Sequence, residues 1–158
     1  MVLILCLSFN GCVNKNEVDI SVINCDFKCD FNIPNSDLSG EMTVKDDCEL
    51  SMFFSGPDII NGVGITVAGE TIIIEVKGIT ERYSRSTVPE DSPATYIYDI
   101  LKDIKSQIPE IKNEEITVLG NSASGEYEAV LSGTGFVETL TLKDTGVHIT
   151  FTNHVVLN

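Results

Sequence analysis

The stretch Cys25-Asp-Phe-Lys-Cys-Asp-Phe-Asn-Ile33 decides how the rest of the chain is read. Cys25, Phe27, Cys29, Phe31 and Ile33 recur at every second residue, with Asp26, Lys28, Asp30 and Asn32 between them. Side chains of a strand point to alternate faces, so a period of two marks a strand with one apolar and one wet face. One-sided strands build antiparallel sheets, and the apolar face of such a sheet needs a cover. Pro34-Asn-Ser-Asp37 has the residues of a turn and ends the strand.

The same pattern continues downstream. Met42 and Val44 alternate with Glu41, Thr43 and Lys45, and Asp46-Asp47 turns the chain. Cys48, Leu50, Met52 and Phe54 alternate with Glu49 and Ser51 up to Gly56-Pro57. Residues 62–67 and 71–77 form a hairpin about Ala68-Gly69-Glu70, closed by Gly78. Glu81, Arg82 and Arg85 then read as a charged loop, solvated or available to a partner.

One segment breaks the period of two. Ser92 is a good helix N-cap and Pro93 suits the first helical position. Ile97, Ile100, Leu101, Ile104 and Ile108 follow at helical spacing, with Asp99, Lys102, Asp103 and Lys105 opposite, and Pro109 is the stop. Strands resume at 116–119, 126–131, 137–142 and 147–151. About eight antiparallel strands with one helix after the fifth make an α+β fold. The expectation is a curved, mostly antiparallel sheet with the amphipathic helix packed on its concave apolar face. Ile97, Leu101 and Ile104 would then face Phe31, Met52 and Phe54 across the interior.

Length and charge narrow the function. The chain has 158 residues, 42% of them hydrophobic, which suits one domain with a core of its own. Lys and Arg number 10 against 24 Asp and Glu, a formal net charge of −14. That surface repels phosphate backbones, so nucleic acid is not an expected partner.

Residues 1–11 carry no charge and are mostly apolar. The run is too short to span a bilayer, which needs about 20 residues, but fits the apolar region of a secretory signal. Gly11 precedes Cys12, and polar Asn14-Lys-Asn-Glu17 follows. A small residue before Cys at this place resembles a bacterial lipoprotein signal, in which the Cys thiol takes a diacylglyceryl group. Phe9 and Asn10 stand where that signal prefers Leu and a small residue. The expected organisation is a signal peptide at 1–11, lipidated Cys12 with a linker at 12–17, and a single β-rich domain at 18–158. The mature protein would sit on the outer face of the cytoplasmic membrane, since two acyl chains give stable anchoring.

Removing Cys6 and Cys12 leaves Cys25, Cys29 and Cys48, an odd number without a complete disulfide framework. Cys25 and Cys29 lie about 13 Å apart in a strand, too far to bridge. Small apolar core residues are the main reading; a bridge from either to Cys48 stays open, and a metal set would need His148 or His154 as well. No nucleophile elbow, zinc helix or phosphate loop occurs. Asp46-Asp47 with Glu49 reads as a solvated turn rather than a calcium loop. His148 belongs to the wet face of the last strand and His154 to the surface near its end. No enzyme, cofactor or metal is expected.

The order of segments carries a resemblance. Gly40-Glu-Met-Thr-Val44, Cys48-Glu-Leu-Ser-Met-Phe-Phe-Ser-Gly-Pro57, the run from Ile60 to Gly78-Ile79, Val88-Pro89 with the helix, Gly125-Glu-Tyr127 and Ile149-Thr-Phe-Thr-Asn-His154 succeed one another. This resembles small Firmicute lipoproteins of clostridial type, similar to the LolA-like lipoprotein carriers and the spore-germination lipoprotein group. The resemblance implies a half-open barrel with a helix across its mouth and a hollow that receives acyl chains. It carries over no catalytic residue. Phe31, Met52, Phe54, Ile97, Leu101 and Ile104 are thereby the expected ligand-facing residues. The partners to expect are the membrane through the anchor, a lipid or lipidated protein, and an envelope protein. The other reading is a solid-core envelope protein that acts on a protein partner through its surface.

Overall fold

The computed structural model describes residues 26–45, 49–89, 91–112 and 115–157. Cys12, Cys25, Cys48 and the proposed signal and linker lie outside them. The alternating stretch is strand β1 (Phe27–Ile33), with Phe27, Cys29, Phe31 and Ile33 all buried. It is followed by β2 (Leu38–Lys45), β3 (Glu49–Gly56), β4 (Val63–Ala68), β5 (Thr71–Val76) and β6 (Ile79–Ser84). After helix α1 (Pro93–Ile104) come β7 (Glu110–Lys112), β8 (Glu115–Ser122), β9 (Gly125–Leu131), β10 (Val137–Leu142) and β11 (His148–Val156).

All eleven described strands join one sheet in the order β6-β5-β4-β3-β2-β1-β11-β10-β9-β8-β7. Every pairing is antiparallel. Two meanders, β1 to β6 and β7 to β11, are sewn together where β1 pairs with β11, with Phe31 opposite Phe151. The two edges of the sheet are therefore β6 and β7, the strands just before and just after the helix. The helical segment is the connection from edge to edge.

Eleven strands are present among the described residues rather than about eight, and the helix follows the sixth. The charged loop expected around Glu81 and Arg82 is strand β6. Its turn is Lys77-Gly78, both with positive φ, which is the two-residue hairpin geometry whose twist matches that of the strands. Every residue of β6 is exposed, so no apolar alternation signals it. The helix stops at Ile104, short of Pro109, and Ile108 is exposed beyond it. Ser92 caps through its carbonyl, which accepts from the amides of Thr95 and Tyr96, with no bond from its side chain.

The helix is less amphipathic than its sequence. Ala94, Thr95, Tyr96, Ile97 and Tyr98 are buried in succession. Five consecutive residues exceed one helical turn of 3.6, so the N-terminal half is enclosed on every side. The second half keeps a wet face at Lys102, Asp103 and Lys105.

Candidate functional site

The interior is one apolar cluster shared by sheet and helix. Phe31, Met52, Phe54, Ile97, Leu101 and Ile104 all belong to it, each 3% exposed or less. The helix packs on β3 and β4 on one side and on β8 on the other. Phe31 meets Phe54 edge to face at 5.5 Å between ring centres. The six residues expected to face a ligand are thus brought together, and in this structure they fill the interior with one another. Cys29 is in the same cluster. Burial, and then the neighbouring Asp30 carboxylate, push its thiol up to about 12.

Polar contacts hold the helix at its borders. Tyr98 Oη accepts from the Gly69 amide in the β4–β5 turn at 3.2 Å. The Arg85 guanidinium, in the segment after β6, pairs with Asp99 and lies over the Tyr98 ring at 5.1 Å. Ser124, in the β8–β9 turn, donates to the same Asp99 oxygen at 3.4 Å. Tyr127 on β9 donates to Asp103 at 2.7 Å. Burial and that bond both raise the Tyr127 phenol above its ordinary pKa. Its ring lies against Gly120, where an added Cβ would be 2.3 Å from Tyr127 Oη.

The helix covers only part of the apolar face. Three transverse rows can be read from the register of β4, β5 and β6: Val67–Ile72–Tyr83, Ile65–Ile74–Glu81 and Val63–Val76–Ile79. In the first row Val67 and Ile72 are buried, at 0% and 1% exposed, while Tyr83 on the edge strand is 39% exposed. In the second Ile65 and Ile74 are half-buried. In the third Val63 is half-buried, Val76 is 40% exposed and Ile79 69%. The apolar lining thus opens toward the end of these strands away from the Gly69 turn. Ile59, exposed just before β4, adds to that end.

Val63, Val76 and Ile79 were not among the residues singled out by the sequence. The signal was the continuation of apolar residues across Lys77-Gly78, which only a hairpin places side by side. His154 also differs from its expected place. Its ring stacks on Phe136 at 4.7 Å and its Nε2 donates to the Val137 carbonyl at 3.0 Å. Burial lowers its pKa, against smaller opposing effects of the Val137 bond and Glu138. His148 is exposed and bonds Thr141 across the strand pair, as a wet-face residue does. Among the described residues there is no grouping of side chains able to hold a metal ion. No described helix is long and apolar enough to cross a membrane.

No protein-family model matches the chain, and no curated protein matches it significantly. Among solved structures it resembles an uncharacterized conserved protein from Thermus thermophilus, with a TM-score of 0.55 and 8% identity over 88% of this chain and 83% of that one. It also resembles a LolA superfamily protein from Nitrosomonas europaea, with a TM-score of 0.43 and 9% identity over 85% of each chain. The first likeness shows a shared fold.

Proposed function

We propose that this chain is a non-enzymatic, lipid-anchored extracytoplasmic protein that binds an acyl chain, free or on a lipidated partner, between its sheet and helix. Lipidation at Cys12 would hold it on the outer face of the cytoplasmic membrane. The observation that carries the reading is the apolar lining that runs on past the helix through Ile65, Ile74, Val63, Val76 and Ile79. Large exposed apolar surface is costly on a soluble domain and marks interaction sites.

A curled, half-barrel sheet is part of this reading. The helix touches both β4 and β8, which are seven places apart in the sheet order. On a flat sheet they would be about 34 Å apart, at about 4.8 Å per strand. A helix of 12 residues is about 18 Å long, and its contact with both strands supports a sheet that bends round it. Enclosure of residues 94–98 on every side fits the same geometry. An acyl chain would enter at the open corner and lie along the inner face beside Met52 and Phe54.

The test uses the chain with Cys12→Ser, which blocks lipidation and keeps it off membranes. A fluorescent fatty acid should bind and be displaced by palmitate. Val76→Asp with Ile79→Asp should weaken binding at least about tenfold, the worth of a methylene or two of burial lost to a charge, while the melting temperature holds. Absence of fatty-acid binding in the parent protein overturns the reading. The alternative is then a solid-core protein that acts through its surface, which the near-complete burial of the six interior residues favours.

A further inference from the structure

The opposite, wet face of the sheet carries a feature that the interior does not account for. Phe53 on β3 points outward and is 54% exposed. The register places it in a transverse row of directly opposed residues: Asp30, Glu41, Phe53, Gly64 and Glu75, one from each of five adjacent strands. The ring stands between two open grooves that share Glu41 and Phe53. One, of about 620 Å³, runs over Asp30, Ser39 and Ser55; the other, of about 270 Å³, runs over Thr66, Ile73 and Glu75.

Gly64 shows that the opening is not a packing necessity. At Gly40 an added Cβ would come within 2.1 Å of the Phe53 carbonyl oxygen, and at Gly120 within 2.3 Å of Tyr127, so both glycines are sterically required. At Gly64 an added Cβ would meet Glu75 Cβ at 3.6 Å and the Phe53 ring at 3.9 Å, which is ordinary contact, and its φ is not positive. The position thus admits a Cβ, and β-branched residues favour strands. Glycine within a strand weakens it and keeps a close approach open.

The charges around the ring choose the occupant. Asp30 and Glu41 lie directly opposite one another, a like-charge pairing that destabilises a sheet. They are only partly offset, by Lys28 on Glu41 at 2.5 Å and by the Asn153 amide donating to Asp30 at 2.6 Å. Glu75, beyond the notch, has no salt bridge among the described residues. An aromatic face bordered by carboxylates attracts a cation, and Arg or Lys can lie on the ring while its charge meets an acid. The chain's net charge of −14 acts in the same direction at longer range.

We propose that the outward groove at Phe53 docks an extended, basic segment of a partner protein. Glu41 and Glu75 are three strands apart, about 14 Å, which matches residues i and i+4 of an extended peptide on one face. The segment would therefore carry basic residues four apart with an apolar residue midway, seated on Phe53 and in the Gly64 notch. This surface lies on the other face of the sheet from the acyl-chain corner, and the proposal stands without it.

The probe is a labelled peptide, Ser-Arg-Ser-Leu-Ser-Arg-Ser, titrated with the protein at low salt and read by fluorescence anisotropy. Binding should be saturable and salt-sensitive, and a peptide with both Arg replaced by Glu should not bind. Phe53→Ser should weaken binding about fourfold, the worth of roughly one methylene of apolar contact, and Glu75→Gln about two- to fivefold, the scale of one exposed ion pair. Gly64→Thr should block binding while keeping or raising the melting temperature. No binding by the basic peptide overturns the proposal. So does binding that all three variants leave unchanged, which would reflect net charge alone. Because Phe53 and Glu75 are exposed, both variants keep the fold and the readout stays interpretable.

Discussion

Val67 with Ile72 and Val63 with Val76 are two apolar pairs on the same two strands and the same face. The first pair is sealed, whereas in the second Val63 is half-buried and Val76 is 40% exposed. Strand propensity, residue type and register are alike in both, so the difference is the cover. Helix α1 is pinned beside the first pair by Tyr98 at the Gly69 amide and by Asp99 at Arg85. Nothing among the described residues holds a second helix over the other. A sheet face is therefore apolar by sequence but sealed only where another element lies over it.

The largest effect is expected under the helix. Ile100→Ala should cost about 2–5 kcal/mol in chemical denaturation, because Ile100 is fully buried and the truncation leaves a cavity in the core. A loss below about 1 kcal/mol would mean that the helix is not part of the sealed core. Tyr127→Phe removes the bond to Asp103 and should cost about 1–2 kcal/mol, leaving a half-buried carboxylate short of one donor.

Acid should act at the β10–β11 end, where His154 is packed on Phe136. Its folded-state pKa is lowered by burial, so the unfolded chain binds more protons just below the ordinary His value of about 6.5. That contribution is present above that pH and is lost as pH falls through the lowered folded-state value. His154→Gln should flatten stability over this window in a series of melts; an unchanged slope would remove the ring from the account.

The smallest effect is expected at the open corner. Ile79→Ser should change stability by no more than about 0.5 kcal/mol, since a largely exposed side chain has little burial to lose. A loss comparable with that of Ile100→Ala would show the corner to be covered.

Much of the sheet was legible because burial on one face imposes a period of two. That held for Phe27 to Ile33, for Leu50, Met52 and Phe54, and for the strand at 126–131. It failed at β6, where both faces are wet and the only mark was the Lys77-Gly78 turn. It failed at Ile108, whose spacing fits the helical stripe although the helix has ended at Ile104. His154 was misread because its neighbours Phe27 and Phe136 are remote in sequence and are delivered by the pairing of β1 and β10 with β11.

Residue spacing and charge alone show which face of each regular strand is apolar, that one helix interrupts the strands, and that the surface is strongly acidic. These are local properties, set by the spacing and charge of neighbouring residues. The assembled sheet is needed to see that β6 and β7 are its edges, which apolar rows the helix seals, and that Gly64 bares Phe53 between two carboxylates. Those depend on which strands become neighbours and in what register, and the long-range pairing of β1 with β11 sets that order for the whole sheet.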